Sequence, residues 1–425
     1  MPAFDLLIHS TTPDGSPVSL GITDGCIAAL DSHLASTATK ELTAPETTLY
    51  PGWIDAHVHF NEPGRTEWEG LASGSWALAK GGGTAFFDMP LNSSPPVLNR
   101  QLLEEKSALA GQKSCLDFAL WGGLTPDSLD HLEDMAQAGA IGFKAFLCHS
   151  GLDEFPHADP QTLKVGMTTA AALNLPVSTH AEFNPTGPPP TGTDMRAWLD
   201  SRPIQLELDA IQLATDLAGE TGCALHIVHV YCPEGIELIS QAKSRGVNVT
   251  AETCPHYLLL DESSAIEIGA FAKCAPPLRN PERVAALWQD LRSGRIDTLG
   301  SDHSPSSPDL KTGDDLFAIW GGIAGIQHGL PLLLDQEPTL NEQISANVAQ
   351  RFRLPNKGGL TIGHDADFFL TQKDSQPIAV EDLVTRHPIS PYLNRTLSTQ
   401  ITATYLRGQL VTPETKGKLL KPEPA

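Results

Sequence analysis

The chain is expected to fold as an α/β protein, a (β/α)8 TIM barrel with a small β-sandwich built from its two ends. Three observations predict this. From about residue 51, apolar and β-branched runs alternate with segments of helical period. Eight such runs occur, the count that closes a barrel. Both ends of the chain instead carry short strand and turn patterns with no helix of useful length. A doubly wound open sheet would alternate in the same way, but no Gly-rich dinucleotide fingerprint accompanies these units.

The first fifty residues run DLLIHS, the turn-rich TTPDGSP, VSLGI, the turn TDG and CIAAL. Strand candidates then follow at WIDAHVHF (53–60), TAFFDM (84–89), LDFALWG (116–122) and IGFKAFL (141–147). They continue at VSTH (177–180), ALHIVHV (224–230), VNVTAE (247–252) and DTLGSD (297–302). Helices are expected between them, at 67–80, 98–110, 203–220, 233–245 and 281–292 among others. Three of these open with proline, which suits a first helical turn because its missing N–H would have no partner there. GLTIGHDADFFLT and TLSTQITATYLRGQLV return to strand chemistry, and the last ten residues, rich in Lys and Pro, read as frayed. The expected division is residues 1–50 with 357–425 as the β-domain and 51–356 as the barrel.

With 425 residues, 51 acidic against 28 basic, the formal charge is −23. That excludes nucleic acid or an anionic membrane as a partner, since either needs a basic surface. No run approaches the ~18 apolar residues of a membrane span. The opening segment lacks the cationic and apolar regions of a secretory signal. The seven cysteines form no CxxC pair and read as reduced thiols, so a cytoplasmic protein is expected.

A barrel places its chemistry at the C-terminal ends of the strands. Strand one ends in His57-Val58-His59, two imidazoles on one face of a strand. Strand four carries Lys144, strand five ends at His180, strand six at His229 and strand eight at Asp302. Each alone has an ordinary explanation: a packed or surface histidine, a snorkelling lysine, a capping aspartate. Their joint placement at strand ends has none, and reads as a site for two divalent metal ions. These donors suit zinc, but also cobalt, manganese or iron. An ammonium cannot ligate a cation. A lysine buried beside two dications is held neutral by desolvation and repulsion, and a neutral amine adds CO2 to give a carbamate whose two oxygens can bridge the ions. Lys144 is therefore expected to be N6-carboxylated.

The remaining polar residues sort by position. His226 lies three residues before His229, so strand alternation sends it to the opposite, packing side. His303, next to Asp302, is expected to support the ligands and stands with Asn92 and Cys274 as a candidate substrate contact. His256 either lines or buttresses the pocket, and His149 and His157 either line it or lie on the surface. Arg65 is expected to cap the helix beginning near Thr66 rather than to serve the pocket.

The segments PGWIDAHVHFNEPG, GFKAF, THAE, HVYCPEG, ETCPHYL, KCAPPLR and SDHSP resemble the cyclic amidohydrolases, the dihydroorotases, hydantoinases and allantoinases of the metal-dependent amidohydrolase superfamily. The resemblance spans nearly the whole chain. It implies that His57 and His59 bind a first metal, that His180 and His229 bind a second, and that a carboxylated Lys144 bridges them. It also implies that Asp302 binds metal and shuttles the proton. FNEPGRTEWEG, FFDMPLNSSPP, GFKAFLCHSGLDEFP and AIWGGIAGIQ look most like the allantoinase branch. Asn61 stands where dihydroorotases usually carry the arginine that grips a substrate carboxylate.

The implied reaction is hydrolysis of the cyclic amide of allantoin to allantoate, a step of purine and ureide degradation, by a homo-oligomer, dimer or tetramer. Tyr231 and Cys232 depart from the serines common in the family, which leaves His229 intact and the shape of the pocket near strand six unassigned. Two alternatives stand. One is a hydantoinase, dihydropyrimidinase or dihydroorotase acting on another cyclic amide. The other is a non-catalytic scaffold, although such scaffolds typically lose metal ligands and all six positions here are filled.

Overall fold

A computed structural model describes residues 3–187 and 191–423. Eight parallel strands form its centre: Trp53–Val58, Gly83–Asp88, Asp117–Leu120 continued by Gly122–Gly123, Phe143–Phe146, Val177–His180, Leu225–Ile227, Val249–Thr253 and Thr298–Leu299. The first three pair in order, and the third carries on past Trp121 into the run of the other five. The ring closes where Val58 bridges to His303 in parallel and the His59 N–H donates to the His303 carbonyl at 2.8 Å. Beneath that seam, Asp55 accepts from the Ser301 N–H at 2.9 Å, tying strand one to the end of strand eight.

The helices pack outside. Arg100–Lys113, Pro160–Ala172 and Pro281–Arg292 start where Asn99, Asp159 and Asn280 each accept a backbone N–H of the first turn. Pro233 and Pro281 occupy first-turn positions as expected, whereas Pro203 precedes a helix that begins at Gln205. The helix expected from residue 67 begins only at Leu71, whose N–H is taken by Glu62. Among the described residues, no helix is long and apolar enough to cross a membrane. All seven cysteines are free.

Both ends of the chain join one seven-stranded sheet. Phe368–Pro377 pairs antiparallel with Ala38–Pro51, placing Phe368 opposite Pro51. Leu6, Ile8, Leu20 and Ile22 from one wing pack with Phe368, Leu370 and Tyr405 from the other, giving the small β-sandwich its core. A buried ionic knot lies between this sheet and the barrel. Lys357 contacts Asp117 at 2.7 Å, Asp365 at 2.8 Å and Asp367 at 2.5 Å. Removing one partner of such a network costs about 3–5 kcal/mol, because the others are left buried and uncompensated.

The tail departs from the frayed expectation. The Phe118 N–H donates to the Lys418 carbonyl and the Leu420 N–H donates to the Phe118 carbonyl, so the last described residues dock alongside strand three. A methyl group at Gly417 would overlap the Leu116 carbonyl, so only glycine permits that approach.

Candidate metal centre and pocket

Four imidazoles meet at the C-terminal mouth of the barrel. The rings of His57 and His59 are 5.6 Å apart, those of His57 and His229 5.5 Å, and those of His180 and His229 4.5 Å. Asp302 Oδ1 lies 3.2 Å from His57 Nε2 and 3.3 Å from His59 Nε2. These three residues offer ligand atoms within 4.8 Å of one another, the arrangement a cation needs. Lys144 is fully buried, with its amine 5.1 Å from the centre of the Phe146 ring, which in turn stacks on His180 at 4.4 Å.

Strand periodicity alone would not deliver all of these side chains. His229 lies two residues and Asp302 three beyond the last residue of their strands, and both have φ 45°, in the left-handed region. The turn there costs of order 1–3 kcal/mol for a residue other than glycine and aims each side chain into the mouth. The same turn corrects the reading of His226. Cross-strand register places Lys144, Ser178, His226 and Thr250 in one layer, so His226 faces the barrel interior with Lys144. It bonds Thr250 at 2.8 Å and Glu252 at 3.3 Å.

Burial sets the electrostatics. It pushes His59 and His229 down and His180 to about 4, which keeps these rings neutral, the form with a lone pair to give. At His57 burial also acts downward, but Asp302 and Glu252 outweigh it and hold the ring up at about 9. Burial would raise Asp302, yet His57 and His59 keep it well below the usual carboxylate range. Lys144 falls to about 8, chiefly by burial, against the pull of Asp302 and Glu252.

A pocket of about 480 Å³ opens above the cluster, a size that suits a small ring. His57, His59, His180, His229 and Asp302 form its floor, and Asn92, Cys274 and His149 are in its walls. The Cys274 carbonyl is taken by the Trp198 indole at 3.1 Å. The Asn92 amide donates to Ser304 at 3.4 Å.

His303, expected as a substrate contact, is a correction. It is fully buried behind the pocket, with its ring toward Glu69 at 3.5 Å, because the bridge to Val58 turns it away from Asp302. His256 is a buried buttress whose ring lies tilted against Tyr257 at 4.2 Å, and His157 is on the surface. Arg65 caps no helix; it pairs with Glu154 at 2.7 Å and holds the Asn92 carbonyl at 3.1 Å. Cys232 points toward a helix, where it donates to Glu207 at 2.7 Å, and Tyr231 meets Arg279, in the loop ahead of Pro281–Arg292, at 2.9 Å.

Comparison with known proteins bears on this geometry. Residues 48–411 match the model of the amidohydrolase family. The chain belongs to that family. It is 46% identical to an allantoinase of Deinococcus radiodurans, with 99% of each chain covered. It is also 46% identical to an allantoinase of Rubrobacter xylanophilus, covering 97% of this chain and 95% of that one. Among solved structures it superposes on the L-hydantoinase (dihydropyrimidinase) of Arthrobacter aurescens with a TM-score of 0.92, 30% identity and 98% and 100% coverage.

Membership of the amidohydrolase family implies a two-metal centre, and the residues fit one. The Lys144 amine and His59 Nδ1 are buried with no hydrogen-bond partner, an arrangement that costs free energy unless something binds there. Two neighbours escaped the sequence reading. Glu252 accepts from His57 Nδ1 at 2.8 Å, and Glu182 lies 3.3 Å from His180 Nε2. For Glu182 the signal was a glutamate two residues past a predicted ligand, in THAE; Glu252, on a strand with no predicted ligand, had none.

Proposed function

We propose that this amidohydrolase opens the ring amide of allantoin to give allantoate, using two divalent ions held by His57, His59, Lys144, His180, His229 and Asp302. The observation that carries the choice of ring is the state of the pocket's cations. Arg202 is occupied by Glu182, and Lys273 by the Ile319 carbonyl. Asn61, at the position where a carboxylate-gripping arginine would stand, turns its amide to the Pro305 carbonyl at 3.1 Å. Among the described residues the pocket therefore holds no guanidinium free to grip the carboxylate of a charged ring such as dihydroorotate, and suits a neutral one. The allantoinase relatives, matched over nearly their whole length, support the ureido-bearing ring among neutral cyclic amides.

Zinc is the proposed ion, and Lys144, as its carbamate, would be among the residues that hold it. When bound, such ions supply an acidified water and a Lewis acid for the carbonyl. The chain's own contributions are separate. Asp302, low in pKa and facing the pocket, accepts a proton from the attacking water. The water oxygen bonds to the ring carbonyl carbon, the ring C–N bond breaks, and Asp302 returns its proton to the departing nitrogen. Asn92 and the wall at Cys274 position the ring and its ureido arm.

Comparing turnover of allantoin, hydantoin, dihydrouracil and dihydroorotate tests this reading. Allantoin should lead in kcat/KM by at least about 100-fold. Equal or faster turnover of hydantoin or dihydrouracil would make the protein a hydantoinase, and metal content below about one ion per chain with no hydrolase activity would leave a scaffold.

A further inference from the structure

We propose that Arg202 is a positioning residue. Through Glu182 it locks the ring of His180 so that Nδ1 faces the centre, and its charge keeps the second ion off Cys148. This rests on the two-ion reading above.

Glu182 is fully buried two residues past His180. Its Oε2 faces His180 Nε2 at 3.3 Å. A carboxylate that takes the Nε2–H leaves the lone pair on Nδ1. His57 is locked in the opposite sense, with Nδ1 on Glu252 at 2.8 Å and Nε2 toward Asp302 at 3.2 Å. Each proposed pair of imidazoles thus contains one ring held by a buried carboxylate, and the two rings present different nitrogens.

The partners of the two carboxylates differ. Glu252 shares its second oxygen with His226, whereas Glu182 is gripped at both oxygens by Arg202, at 2.9 and 2.5 Å. The reason for a cation there is Cys148. Its sulfur lies with ligand atoms of His180 and Glu182 in a group spanning 4.8 Å, a buried set able to take an ion in the wrong place. Arg202 Nη2 stands 3.9 Å from that sulfur while holding Glu182, so a fixed positive charge already fills the false site.

The guanidinium is itself fixed. It stacks on Trp198 at 5.2 Å, and the Arg202 carbonyl accepts from Arg279, which Tyr231 holds at 2.9 Å. Tyr231, the departure from the family pattern, thereby acquires a use remote from the pocket.

The test is chelator titration of cobalt-loaded protein, counting ions per chain and recording the absorption spectrum. Wild type should hold two ions and show no thiolate-to-cobalt band. Arg202→Met should lose its second ion at a chelator concentration at least about tenfold lower. Alternatively it keeps that ion with a thiolate band that a further Cys148→Ser change removes. Arg202→Lys retains the charge without the two-pronged grip and should weaken the second ion without a thiolate band. A wild-type midpoint and spectrum in Arg202→Met overturn the proposal, and if that variant does not fold, a wild-type midpoint in Arg202→Lys does so. Wild-type protein that takes up fewer than two ions overturns the two-ion reading and the proposal together.

Discussion

Glu252 Oε1 lies 2.8 Å from Nδ1 of His57, and the other nitrogen of that ring faces Asp302 at 3.2 Å. One imidazole is thus pinned between a fully buried carboxylate behind it and a pocket-facing one in front. Space for Glu252 comes from Gly300, where an added Cβ would sit 2.6 Å from the carboxylate. Gly300→Ala should therefore push the carboxylate off His57 and lower metal affinity by about 10–100-fold. Chelator competition measures it, and unchanged affinity would show that His57 needs no such support.

Asp302 has the opposite exposure, with its side chain 15% open toward the pocket, as its proposed role requires. Asp302→Asn keeps the shape and removes the proposed proton acceptor. The expected loss in kcat is about 10²–10⁴-fold with the fold and most of the metal retained, read by steady-state kinetics beside metal analysis. Near-wild-type kcat would defeat the assignment.

Lys144 supplies the third prediction. Its buried amine has no partner, and burial brings it to about 8, within reach of the neutral form that adds CO2. Protein grown with isotope-labelled bicarbonate should show a carbamate carbon resonance that Lys144→Met abolishes, together with metal content below two ions per chain. A fully metallated wild type with an unmodified amine would be the contrary result.

The sequence was most legible where chemistry and periodicity coincide. The strand at Val177–His180 matches its expected bounds, and His57 and His59 share a face as their spacing requires. It was least legible where the chain turns at strand ends. Alternation sent His226 outward because it assumed an unbroken strand to His229, and the left-handed turn at φ 45° cancels that assumption. Glu252 was invisible for another reason. It stands 195 residues from His57 in the chain, and nothing local marks a glutamate in ETCPHYL as the partner of a histidine in WIDAHVHF. His303 was misplaced because adjacency to Asp302 says nothing of which side of the closing seam a residue faces.

Glu207 yields a prediction about stability rather than turnover. It is buried and accepts from Cys232 and the Tyr231 N–H, and burial raises its carboxyl to about 8 against those two hydrogen bonds. Between its ordinary value of 4.5 and about 8, the unfolded chain releases this proton while the folded chain keeps it. The folded state then binds more protons than the unfolded one, so stability falls as pH rises through that window. The contribution is complete below 4.5 and gone above about 8. Glu207→Gln keeps an acceptor oxygen and cannot ionise, so its melting temperature relative to wild type should climb steadily across the same window. Parallel melting curves at all pH values would mean that Glu207 is ionised in the fold, with Arg279 rather than a retained proton balancing it.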